Sequence, residues 1–226
     1  MRGRDLAGDL MGRLTFTEYF HLLLTGREPT AEQRYFLDLL LVAIAEHGLM
    51  PTNVAARMTL AADPDSLQGA VAAGILGAGP VVLGAAEECA RLLESGEEPL
   101  EAVRWIEKSG QKVPGFGHPV HRPVDPRAER ILELADERGI AGPAVARPRA
   151  LREAVAEVWG KPLPMNVSMP IAAVLLDLGF PAAAVKAVPI LARTASLLAH
   201  LAEEREQPIG FELARAAEEA VEYRHD

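Results

Sequence analysis

The chain has 226 residues, 49% hydrophobic and 24% charged, a composition that excludes intrinsic disorder and supplies apolar surface for one good core or two modest ones. With 32 Asp and Glu against 23 Lys and Arg, the formal net charge is −9, which argues against a broad grip on nucleic acid or an anionic membrane because both would repel it. Cys89 is the single cysteine, so an internal disulfide framework and a cysteine metal cluster are excluded and a reducing cytoplasm is expected. Aromatic residues make up only 5%, and an interior built from Ala, Leu, Val and Ile favours closely packed helices over sheet.

The opening dozen residues read as a loose entry segment. Thr15 with Glu18 has capping-box spacing and predicts a short helix that ends at Gly26; Thr30 with Gln33 repeats the signal before the apolar run Tyr35–Ile44, which suits a buried helix. Helices follow over 53–62 and 66–76, separated by the turn Asp63-Pro64-Asp65. The second carries Gly69, Ala70, Ala72, Ala73 and Gly74, small side chains that allow a close helix crossing, either within the chain or between subunits. Punctuation by Gly, Pro, Asp and Ser then predicts helices near 82–94, 98–109, 126–138, 144–159, 170–178, 181–204 and 209–222. No segment alternates cleanly enough for a strand, so the class is all-α. No run of about 18 apolar residues is expected to span a bilayer, and no secretory leader is apparent.

Two irregular stretches remain, 110–125 and 160–170, and functional groups gather in loops whose ends are fixed by helices. The segment 113–127, Val-Pro-Gly-Phe-Gly-His-Pro-Val-His-Arg-Pro-Val-Asp-Pro-Arg, is the most informative. Its glycines bare the backbone and its prolines stiffen it, while His118, His121, Arg122 and Arg127 supply a proton carrier and anion-binding forks. Asp125-Pro126 reads as an N-cap and first turn that would set Arg127 on a new helix. The pattern suits an anionic substrate; it also suits a surface loop with solvated charges. Arg193 lies within an apolar helical run and must snorkel or find an anion. His200, two turns on, and His21 read as polar rim residues, and His47 as a helix C-terminal cap. Ligand spacing for zinc or calcium is missing, so no metal is expected.

The blocks His47 with Asn53-Val54-Ala55-Ala56-Arg57, Gly79-Pro80 with Gly84-Ala85 and Glu87, Gly115 to Arg127, Asn166-Val167 and Arg193-Thr194 together resemble the citrate synthase superfamily, and particularly its short citryl-CoA lyase-like branch. The resemblance implies an all-helical citrate synthase-like fold, truncated at the N-terminus, with a large domain over 1–83 and 173–226 and a smaller inserted helical domain over 84–172. It implies an active site in the cleft between them. His118 would contact the oxygen on the carbon where the C–C bond is made or broken, as acid in synthesis and base in cleavage. His47, Arg127 and Arg193 would hold carboxylates, while Arg122, Lys161 and the backbone of Gly115, Phe116 and Gly117 would meet coenzyme A. A homodimer is expected on the same ground and from the small-residue helix.

Two positions depart from the family pattern. Val82 stands where members that use acetyl-CoA carry a histidine, and Ser168 stands in place of the aspartate that follows Asn166-Val167. Neither side chain can take a proton from an acetyl methyl at neutral pH. Two general acid–base groups are worth roughly 10² to 10⁴-fold each, so ordinary citrate synthesis is not expected. The sequence predicts instead a C–C lyase acting on a hydroxyacyl-CoA with His118 as base. The alternative is a non-catalytic CoA-ester binding protein or companion subunit of an active relative.

Overall fold

The computed structural model describes residues 1–79, 82–118 and 121–222. Among these, the elements are helical: α1 Phe16–Thr25, α2 Ala31–Ala45, α3 Pro51–Ala62, α4 Leu67–Leu76, α5 Ala85–Glu94, α6 Pro99–Lys108, α7 Pro126–Glu137, α8 Pro143–Trp159, α9 Ser168–Asp177, α10 Ala182–Val185, α11 Ala187–Glu206 and α12 Gly210–Ala220. Only isolated bridges occur, Gly79 with Leu83 and Phe116 with Met165, as the all-α reading requires. The entry segment is not loose throughout, since Leu6–Leu10 forms a π-helical turn whose Asp5 cap accepts the Gly8 N–H. The predicted helix 181–204 is divided at Lys186.

The helix starts follow their caps. Thr15 and Glu18 make both bonds of a capping box, and Thr30 and Gln33 exchange the same pair, which begins α2 earlier than its apolar run suggests. Phe36, Leu37 and Leu40 of α2 are fully buried, but Val42 is 79% exposed, so this helix is not enclosed on every side.

The chain divides into two compact units, Met1–Ala43 with Gly84–Val188, and Ile44–Leu83 with Pro189–Asp226. Only the break at 83/84 coincides with the expected boundaries. The first unit extends past residue 172 because α9 is its centre: Met169 to Leu175 are all buried, and α5, α7, α8 and α10 pack on this helix. The N-terminal helices belong to the same unit through long-range contacts. Gln33 donates to the Leu178 carbonyl at 2.7 Å, His21 meets the Phe180 ring edge-on at 5.1 Å, and Arg138 pairs with Glu32 while lying over Tyr35. The Asp177 carboxylate closes the unit by accepting the N–H groups of Gly142, Ala144 and Val145 at the start of α8, a charge-assisted helix cap.

In the second unit α3 packs on α4 and on α12, around a core of Ala56, Leu60, Ala70, Leu197 and Leu201. The small residues of α4 serve this crossing. A Cβ on Gly74 would come within 2.8 Å of Leu197 and 2.9 Å of the Thr52 carbonyl, so that face is consumed within the chain. Ala182–Glu206 is, contrary to the sequence expectation, long and apolar enough by length and composition alone to cross a membrane. In the structure its Leu197 and Leu201 belong to the core of this unit.

Candidate active site

The two irregular stretches singled out in the sequence are bonded to each other. Gly117 N–H donates to the Pro164 carbonyl at 2.7 Å and Asn166 N–H to the Gly115 carbonyl at 2.8 Å, while the Asn166 side chain donates to the Gly117 carbonyl at 3.0 Å. Asn166 then accepts the Ser168 N–H at 3.1 Å and so starts α9. Gly115 is required here twice over. Its φ is +78°, and a Cβ would fall 2.7 Å from Met169 and 2.9 Å from the Cys89 sulfur, so no side chain fits.

Beyond this junction the loop brings His118 and Arg127 together. The His121 backbone N–H donates to His118 Nδ1 at 2.9 Å, which places the proton of the neutral imidazole on Nε2. That nitrogen lies 3.4 Å from Arg127 Nη2. The two histidine rings are 4.5 Å apart. Pro119 and Val120, between them, and Pro80 of the Gly79 block lie outside the described residues.

Asp125 is the functional residue that the sequence reading used only as a helix cap. Fully buried, it accepts from Arg127 Nε at 3.0 Å and Nη2 at 2.9 Å, and also from the backbone N–H groups of Arg127 and Val167. Burial pushes its carboxyl upward, but the Arg127 guanidinium outweighs that and holds it below the usual carboxylate range. The signal was present in Asp-Pro-Arg, where the cap stands two residues from the guanidinium it fixes. His118, His121 and Asp125 each bring a ligand atom within 4.8 Å, but the carboxylate is neutralised by Arg127, so the donor set does not favour a cation and none is assigned.

Lys161 and Arg122 are exposed, and Phe116 is buried. Ser168 is partly buried at the head of α9. A separate cavity of about 960 Å³ in the first unit is lined by groups including Leu24, Arg27, Leu93, Arg147 and Phe180; none of the sequence-predicted site residues lines it.

The second unit holds Arg193, His47 and Val82. Arg193 is 1% exposed, and its Nη1 donates to Asn53 Oδ1 at 3.1 Å. His47 is partly buried at the end of α2. Preceding it, Glu46 accepts from Ser196 Oγ at 2.5 Å, pairs with His200 Nε2 at 3.0 Å and accepts the Gly48 N–H at 2.5 Å. His200 is therefore not a rim residue. It joins Glu46 to Arg57, which donates from Nε to His200 Nδ1 at 3.0 Å. Nor is His21 on a rim, being 2% exposed.

Comparison with known proteins identifies the family and the fold. Residues 2–216 match the family described as citrate synthase, C-terminal domain. A putative citrate synthase 2 of Mycobacterium bovis is 34% identical over 189 residues, 79% of this chain and 49% of that protein. The chain thus spans about half the length of this curated relative. The solved structure of citryl-CoA lyase from Hydrogenobacter thermophilus superposes with a TM-score of 0.90 at 30% identity, over 100% of this chain and 90% of that one. ATP citrate lyase of Methanosaeta concilii, solved with citryl-CoA, shares the fold at 21% identity with a TM-score of 0.80, over 94% of this chain and 37% of that one. With a helical architecture that aligns end to end with such a lyase and a family match over nearly its whole length, the chain belongs to the citrate synthase family.

Proposed function

We propose that the protein is a citryl-CoA lyase-like C–C lyase that cleaves a hydroxyacyl-CoA to an acyl-CoA and an oxo acid. The observation that carries this is the His118–Arg127 pair, with one member oriented by the His121 N–H and the other by Asp125. Two donors that converge within 3.4 Å of each other suit an oxygen that carries or gains negative charge. Support comes from the 30% identical lyase structure that covers the whole chain.

In this reading His118 bonds the substrate hydroxyl oxygen, and Arg127, Arg193 and His47 hold carboxylate. Arg122, Lys161 and the backbone of Gly115 to Gly117 meet the coenzyme A thioester. In the condensation direction the imidazolium of His118 delivers its Nε2 proton to the forming alkoxide and is left neutral. In cleavage it accepts the hydroxyl proton as base, which requires the ring to give up its contact with the His121 N–H. Collapse of the alkoxide to a carbonyl breaks the C–C bond and leaves the electron pair on the acyl-CoA carbon as an enolate, which takes a proton from water to give the acyl-CoA, while His118 returns the hydroxyl proton to solvent. Because Val82 and Ser168 supply no titratable group to that carbon, the acyl group is bulkier than acetyl or better able to stabilise the charge itself.

Purified protein incubated with citryl-CoA and with longer acyl analogues should release an acyl-CoA, and His118→Ala should lower kcat by about 10² to 10⁴-fold. Binding without cleavage of any of these substrates would overturn the lyase reading. That result would favour a second one, a CoA-ester binding companion subunit, for which the apolar Val82 and the hydroxyl of Ser168 already speak. The active form is a homodimer, and light scattering at micromolar concentration should give twice the chain mass.

A further inference from the structure

The second unit contains two buried arginines with opposite surroundings. Arg57, 4% exposed, is neutralised. Its Nη1 donates to Glu204 at 3.0 Å, its Nη2 pairs with Glu203, and its Nε is taken by His200. Arg193, 1% exposed, has no ion pair with any described residue; its Nη1 donates instead to the neutral amide of Asn53 at 3.1 Å. Glu46 acts on it only through its field, against burial, which pulls the guanidinium pKa down. A guanidinium remains protonated in proteins, so a full positive charge is kept in the interior without an ion-pair partner among the described residues.

Asn53 is itself fully buried. Its Oδ1 accepts from Arg193 and from Thr52 Oγ1 at 2.9 Å, and two donors aimed at one atom fix which end of the amide is oxygen. Two polar atoms are then left over: among the described residues, neither Asn53 Nδ2 nor Arg193 Nε has a hydrogen-bond partner. Buried donors without acceptors are uncommon and costly. Here they flank a cation whose neighbour could have been a carboxylate of the same size and is an amide.

We propose that Asn53 is a positioning residue whose neutrality keeps the Arg193 charge available to a ligand carboxylate. The amide oxygen orients the fork without neutralising it, so the compensating negative charge arrives only with the anion. The unsatisfied donors mark a place prepared for acceptor oxygens. Asn53 thus sets specificity for anionic over neutral ligands through charge rather than contact area. This rests on the carboxylate-binding role given to Arg193 above.

Citrate serves as the probe, measured by titration calorimetry on wild type, Asn53→Asp and Asn53→Ser, with thermal unfolding of each ligand-free protein. Asn53→Asp is nearly isosteric but neutralises Arg193 in place. It should weaken citrate binding by about 10 to 100-fold, one to two decades of Kd, while the ligand-free protein unfolds no earlier than wild type. Asn53→Ser keeps a neutral oxygen and should lose about threefold or less, since its net hydrogen-bond change is small. Equal losses in the Asp and Ser variants, an unchanged Asp variant, or an Asp variant that loses affinity together with several degrees of Tm would each overturn the proposal. Failure of wild type to bind citrate would be seen before any variant is compared; it would remove the functional reading and this inference with it.

Discussion

Asp125 holds the guanidinium of Arg127 at two nitrogens, Nε at 3.0 Å and Nη2 at 2.9 Å, from a position with no solvent exposure. The pair therefore fixes the fork rather than merely attracting it, and also ties the start of α7 to the Val167 N–H before α9. Asp125→Asn keeps the shape and part of the cap but leaves Arg127 unpaired. With Asp125 buried but the Arg127 side chain 23% exposed, losing these charge-assisted bonds costs roughly 1.5–3 kcal/mol. Urea unfolding should show a loss of about that size, and kcat should fall more than KM changes, because the donor beside His118 is no longer aimed.

The His118 ring should be observed as the Nε2–H tautomer. The His121 N–H occupies Nδ1 at 2.9 Å, so nitrogen-15 shifts of the neutral imidazole should show Nδ1 unprotonated and Nε2 protonated. An Nδ1–H ring in the resting protein would contradict the orientation described above.

Gly115 and Gly117 share positive φ, +78° and +90°, yet differ in their surroundings, since a Cβ on Gly117 meets nothing within 4 Å. Gly117→Ala should cost about 1 kcal/mol, the price of backbone strain alone. Gly115→Ala adds a clash with Met169 and Cys89, and overpacking contributes about 1–3 kcal/mol more. Thermal unfolding of the two variants should separate them by several degrees.

Glu46 sets an acid limb of stability. Burial pushes its carboxyl up, but bonds from Ser196, His200 and the Gly48 N–H outweigh this and lower it to about 2. A carboxylate depressed in the folded state contributes stability that is present above its unfolded pKa, near 4.5, and is lost as pH falls toward 2. Because its side chain is 56% exposed, solvent screening limits the effect to about 1 kcal/mol. Urea midpoints between pH 5 and 2 should fall less steeply in Glu46→Gln than in wild type.

How far the sequence anticipated the structure depends on the range of each signal. Caps act over three or four residues, so Thr15 with Glu18 and Asp125 before Pro126 mark helix starts correctly. The loop 113–127 could be singled out because its glycines, prolines and charges are contiguous. Its union with 164–166 could not, since those hydrogen bonds join residues about 50 apart. The small-residue helix illustrates the same limit: side-chain size predicts a close crossing, but not that Leu197 provides the other side. His200 and His21 were misread because a lone histidine has no periodic signature, and only the folded chain brings Glu46 and Arg57 to one and Phe180 to the other. The expected boundary at 172 falls inside α9, on which α5, α7, α8 and α10 pack.

The floor beneath Gly115 carries a consequence for variation among relatives. Cys89 and Met169 both come within 3 Å of the place a side chain at 115 would occupy, and Cys89 is fully buried, with its thiol driven well above its ordinary pKa by desolvation. Such a sulfur is a poor nucleophile, so alkylating reagents should spare it until the protein unfolds. Position 115 therefore stays glycine whatever residues 89 and 169 become, because its positive φ excludes a side chain even where space is made.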